Sequence, residues 1–165
     1  MADAPTSQTA PLSDLTALAL RAAQARSAER AALDERAEAI VAAVRAGARL
    51  DEIGEAAGMT KAAASTIARR TLGPRTGSGG PYRRRRGAAA ALERVAETAQ
   101  RARQESEDAH EAILERDRAV LAGADTGLGV LVMAEAMNMR LPAVYELIRR
   151  RRREATQKPS GTLAS

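Results

Sequence analysis

Apolar positions in the first half of the chain recur at the three- and four-residue steps of an amphipathic helix. Leu15, Leu18, Ala22 and Ala25 fall on one side, and Leu33, Ala37, Ile40 and Val44 form a second stripe. The stripe changes phase between Ala25 and Leu33, which predicts a break near Ser27. Ser13 is the expected N-cap after a disordered arm over residues 1–11, and Gly47 is expected to end the helix near Ala46. A short helix over 50–57, a turn at Gly58-Met59 and a helix over 61–72 capped by Thr60 complete this half. Residues 73–87 (GPRTGSGGPYRRRRG) hold five Gly and two Pro and predict a flexible basic linker. From Ala88 a second long helix begins, on which Leu92, Val95, Ala99, Ala102, Ser106, Ala109 and Ile113 form a heptad-like seam that Val120 rejoins. Arg116 stands at the one seam position that should be apolar. Two readings of the seam stay open: a helix lying on its own domain, or a homodimer through a coiled coil over residues 92–120. Gly123 is expected to end this helix, and residues 154–165 read as a disordered tail.

The chain also repeats. Shifted by 80 residues, Ile53-Gly54-Glu55-Ala56-Ala57-Gly58-Met59 meets Met133-Ala134-Glu135-Ala136-Met137-Asn138-Met139, Ile67 meets Leu147, and Arg69-Arg70 meets Arg149-Arg150. Each copy has a small residue (Gly54, Ala134) where one helix must cross another. Four residues on comes a residue type that tolerates a left-handed backbone (Gly58, Asn138). Inward positions follow at Ala64 or Val144 and at Ile67 or Leu147, and Pro142 suits the first turn of the last helix. The segments LDEIGEAAGMTKAAASTIARR and VLVMAEAMNMRLPAVYELIRRRRR, about a quarter of the chain, both resemble the helix-turn-helix DNA-binding family. The form is the three-helix, homeodomain-like one of bacterial and phage regulators, also found in recombinases and sigma factors. The first segment is the closer match, because the second replaces the turn Gly with Asn and the cap with Arg-Leu. The resemblance implies that the second helix of each pair enters a major groove. Its outward residues would be Thr60, Lys61, Ser65, Thr66, Arg69 and Arg70 in the first copy. In the second they would be Arg140, Tyr145, Glu146, Arg149 and Arg150, with Arg151, Arg152 and Arg153 reaching phosphates.

The fold class expected is therefore all-α. Two helix-turn-helix units, each preceded by a long amphipathic helix (12–72 and 88–153), are joined by the linker over 73–87. A plain helical repeat, whose pairs only pack on each other, is the competing structural reading, and it leaves the run Arg149–Arg153 without a purpose.

Composition narrows the chemistry. Alanine fills 40 of 165 positions, with no Phe or Trp and only Tyr82 and Tyr145, so helix forms readily but no thick aromatic core can be built. Without cysteine, and with His110 as the only histidine among Glu107, Asp108 and Glu111, disulfides, zinc fingers and Ser–His–Asp chemistry are excluded. No nucleophile, base and oxyanion donors converge, so no enzyme and no cofactor is expected. The Gly-rich linker lacks the Gly-Lys-Ser/Thr of a phosphate-binding loop. No apolar run is long enough to span a membrane and the N-terminus lacks a signal-peptide core, so a cytoplasmic location is expected.

The net charge of +5 is unevenly distributed. Residues 1–72 are neutral, 73–87 carry five Arg (among them Arg83, Arg84, Arg85 and Arg86), 88–139 carry −5, and 140–165 carry +5. Two positive patches are the expected footprint of a polyanion binder. Duplex DNA is the expected partner, since the chain almost lacks the aromatic platforms on which unpaired bases stack. A regulator or DNA accessory factor is the leading function. The alternative is a phage or plasmid assembly protein, such as a small terminase subunit or partition adaptor, that recognises a DNA site and oligomerises through its long helix.

Overall fold

The computed structural model describes the backbone of residues 9–73 and 87–157, and the side chains of 12–73 and 87–154. Among these residues there are six helices and no strand: α1 (Thr9–Arg45), α2 (Leu50–Ala57), α3 (Lys61–Leu72), α4 (Ala88–Asp125), α5 (Val130–Ala136) and α6 (Leu141–Gln157). The alanine content explains the two long helices, because Ala loses no side-chain entropy on entering a helix. Among the described residues, no helix is long and apolar enough to cross a membrane.

Several boundaries differ from the sequence expectation. Helix α1 already includes Thr9, so residues 9–11 are not a disordered arm, and Ser13 lies inside the helix rather than at its cap. Pro11 is accommodated because the N–H it lacks would find no partner in a first helical turn. No break occurs at Ser27: α1 is continuous, and the change of apolar phase coincides with a change in what the helix packs against. Leu33, expected on the buried stripe, is 37% exposed, while the smaller Ala32 is buried, as are Ala39 and Ala43 beside Ile40. Gly123 does not end α4, which runs on to Asp125 and stops before Gly127 at φ 84°. Helix α6 carries the chain through Glu154 to Gln157, so the expected tail does not begin at 154. Residues 1–8 of the arm, 158–165 of the tail and 74–86 of the linker lie outside the described residues.

The chain forms two compact units, divided after Gln24 in α1 and after Ala109 in α4. Each unit takes part of both long helices: one is the continuous stretch from Ala25 to Ala109, and the other joins the two ends of the chain. One contains the rest of α1, α2, α3 and the start of α4. Its core joins Ala39, Ile40 and Val44 of α1, Ile53 and Ala57 of α2, Ala64 and Ala68 of α3, and Val95 and Ala99 of α4. Within it α4 runs antiparallel to α1, as Arg101–Glu35 (2.9 Å) and Ser106–Glu29 (2.8 Å) show.

The other unit contains the start of α1, the end of α4, α5 and α6. Leu15 of α1, Val120 of α4, Met133 and Ala134 of α5, and Val144, Leu147 and Ile148 of α6 form its core. Arg21 of α1 pairs with Glu115 of α4 at 2.7 Å. The seam positions Val95, Ala99, Ala102, Ala109 and Val120 are all buried within the single chain. Ser106 is exposed and instead donates to Glu29.

Candidate nucleic-acid interface

Helices α2 and α3 are joined by a turn of two residues and a cap. Gly58 adopts the left-handed conformation at φ 64°, and its N–H donates to the Glu55 carbonyl at 3.1 Å. The Met59 N–H reaches back to the Gly54 carbonyl at 2.8 Å, closing the bonds that the end of α2 would otherwise leave open. Thr60 then caps α3, its Oγ1 accepting from the Ala63 N–H at 3.2 Å. The crossing is tight. A Cβ at Gly54 would lie 2.9 Å from the Met59 carbonyl oxygen and 3.2 Å from the Lys61 nitrogen.

The turn between α5 and α6 repeats this arrangement 80 residues later. Asn138 takes the left-handed conformation at φ 49°; its N–H donates to Glu135 at 3.1 Å, and that of Met139 to Ala134 at 2.9 Å. Ala134 is buried where Gly54 stands in the first pair, so this crossing accommodates a methyl group.

The second helix of each pair has one covered and one open face. Helix α3 buries Ala64 and Ala68 and exposes Thr60, Lys61, Thr66, Arg69 and Arg70. Ala62, Thr66 and Arg69 lie along its open line, and the helix contains no acid. Ser65 is half-buried and turns toward a small cavity it shares with Val44, Leu50, Ala68, Arg69 and Leu72, so it sits at the edge of the open face. Helix α6 buries Val144, Leu147 and Ile148. Arg140, Tyr145, Glu146, Arg149, Arg150, Arg152 and Arg153 are exposed, and a shallow groove runs between Tyr145, Glu146, Ile148, Arg149, Arg152 and Arg153. Of the inward positions read from the sequence, Ala64, Val144 and Leu147 are buried, and Ile67 is half-buried against the first core. Ala68 and Ile148 are buried as well, although the resemblance did not mark them.

Comparison of the chain with protein-family models, with curated proteins and with solved structures finds no match. The reading of these two faces therefore rests on their own geometry and charge.

The arginine run on α6 is not one uniform surface. A helix turns about 100° per residue, which rotates Arg151 away from Arg149 and Arg153 and toward the unit's interior. Its side chain is 24% exposed and donates to Asp117 Oδ2 at 3.0 Å and to Glu154 Oε2 at 2.8 Å. The hydrogen bond to Asp117, reinforced by Glu154, holds the Arg151 guanidinium above its ordinary pKa.

Asp117 is 2% exposed and also receives Arg116, with contacts of 3.1 Å from Nε and 2.6 Å from Nη2. Arg150 stands 3.9 Å from the same carboxylate, and Arg152 pairs with Asp125 at 2.9 Å. Asp117 was not singled out in the sequence. The signal was the charged Arg116 at an apolar seam position, since a charge so placed needs a buried partner.

Arg83, Arg84, Arg85 and Arg86 lie outside the described residues. Among the described residues, no three His, Cys, Asp or Glu side chains form a group able to hold a metal ion.

Proposed function

We propose that this protein binds duplex DNA, with α2–α3 and α5–α6 acting as two helix-turn-helix units and α3 and α6 as their recognition helices. The observation that carries this reading is that the same left-handed turn occurs twice, each time presenting an exposed arginine-bearing helix whose opposite face is buried. A helix exposed along one side has the diameter to enter a major groove. Arg69 and Arg149 occupy equivalent places on the two open faces, where a guanidinium can contact either a phosphate or the O6 and N7 edge of guanine. Helix α3 carries short side chains beside its arginines, which favours close approach. Helix α6 carries Tyr145 and more arginines and supplies the larger share of the attraction.

The test is selection of bound fragments from random duplex DNA, followed by equilibrium binding to the enriched sequence. Enrichment of a defined sequence, bound more tightly than random duplex, supports the proposal. Equal and weak retention of all fragments at physiological salt contradicts it.

A further inference from the structure

The internal repeat extends beyond the two short helix pairs to the whole described fold. Shifting α1 by 80 residues gives 89–125, almost the span of α4. The long helices share Leu12 and Leu92, Ala19 and Ala99, Arg21 and Arg101, Ala22 and Ala102, Gln24 and Gln104, and Glu35-Arg36 and Glu115-Arg116. Their ends correspond too. Gly47 and Gly127 both have positive φ (80° and 84°), and the Ala48 N–H donates to Ala43 as the Leu128 N–H does to Gly123.

The cores correspond as well. Ile40, Ile53 and Ala64 in one unit stand where Val120, Met133 and Val144 stand in the other, all of them fully buried. Volume is traded between partners: Ala68 becomes the larger Ile148 while Val44 becomes the smaller Ala124, the kind of exchange that keeps a core filled.

The decisive feature is how the repeats are distributed. The unit holding α2 and α3 takes the opening part of α4 from the second repeat, and the unit holding α5 and α6 takes the opening part of α1 from the first. The borrowed segments use equivalent residues. Val95 and Ala99 pack into the first core as Leu15 and Ala19 pack into the second. The ion pairs Arg101–Glu35 and Arg21–Glu115 are the same pair with the two repeats interchanged. Two unrelated halves would have no reason to borrow matching segments through matching contacts.

We infer that the chain is a fused pair, two copies of one protomer in which each copy completes the other's unit by lending the opening half of its long helix. The partner surface of each repeat is thus the other repeat, and the segment 74–86 serves as a covalent tie that the fold does not need. Resting on the DNA-binding reading, the fusion also means that one chain carries two readers free to diverge. Thr66 beside Arg69 has become Glu146 beside Arg149, so a single chain would address two dissimilar half-sites.

The tie can be cut in the full-length protein. A protease recognition sequence placed within residues 74–86 is cleaved after purification, and the product is sized by light scattering and followed by circular dichroism without DNA. The expected result is one particle of the intact mass, 17.4 kDa plus the insert, containing both fragments and keeping the helical content of the uncut chain. Its melting temperature should now rise with protein concentration, because unfolding has become dissociative. Separation into two smaller particles, each retaining its own helical melt, would overturn the inference. No DNA enters the sizing measurement, so its outcome stands apart from the success or failure of the proposed function.

Discussion

At the turn between α2 and α3 a single backbone conformation decides which residues are acceptable. Gly58 sits at φ 64°, where an L residue with a Cβ is penalised by roughly 1–2 kcal/mol, and Asn is the residue type that resists the penalty best. Asn138 already occupies the equivalent place at φ 49°. Replacing Gly58→Ala should therefore cost about 1 kcal/mol in urea unfolding, and Gly58→Asn clearly less. Equal losses would mean that the cost comes from the Arg103 guanidinium rather than from the backbone, since an added Cβ would stand 2.8 Å from Arg103 Nη1.

Asp117 is the buried acceptor for Arg116 and Arg151, so its substitution should be costly. Removing its charge leaves Arg116, 11% exposed, without its partner, and breaking a buried pair in this way typically costs about 3–5 kcal/mol. Asp117→Asn should lower stability by an amount near the bottom of that range, because the amide oxygen can still accept one hydrogen bond. The other repeat shows what a lone arginine does at this place: Arg36 has Ala37 beside it instead of an acid, and its Nε is buried with no partner.

At the scale of the helix, the two turns and the short helices could be read from the sequence because they depend on residue types with few alternatives. Gly58, Asn138 and Thr60 each carry a local conformational demand that no distant contact is needed to explain. The long helices were harder. An apolar stripe tells which face of a helix is buried but not what buries it, so the phase change after Ala25 looked like a break. It marks instead the passage of a continuous α1 from one set of partners to another. The run Arg149–Arg153 is ambiguous in the same way, since a string of like residues hides the rotation that sends Arg151 alone inward. This distinction is testable. Arg151→Ala should lower the melting temperature and leave DNA affinity nearly unchanged, whereas Arg149→Ala with Arg153→Ala should weaken binding about tenfold or more and leave the melt nearly unchanged. That expectation takes each lost contact at about 1 kcal/mol. The reverse pattern would assign the interior role to the wrong arginine.

Across the whole molecule, the reciprocal exchange was invisible to periodicity because the heptad-like seam of α4 fits any partner helix of matching spacing. The seam suggested either a resting place on its own domain or a second chain. Its buried residues Val95, Ala99 and Val120 pack against α1 and the helix pairs of the same chain. What was legible at this scale was charge: the acidic block over 88–139 lies between two basic ones in sequence. It also supplies Asp117 and Asp125, which hold part of the α6 arginine run in place.

The central claim, that the exposed arginines serve a polyanion, is tested most directly by the salt dependence of duplex binding. Neutralising six to eight phosphates releases a corresponding number of condensed counterions, so log K plotted against log salt should fall with a slope of about −5 to −7. A slope close to zero, or no measurable binding at low salt, would contradict the account.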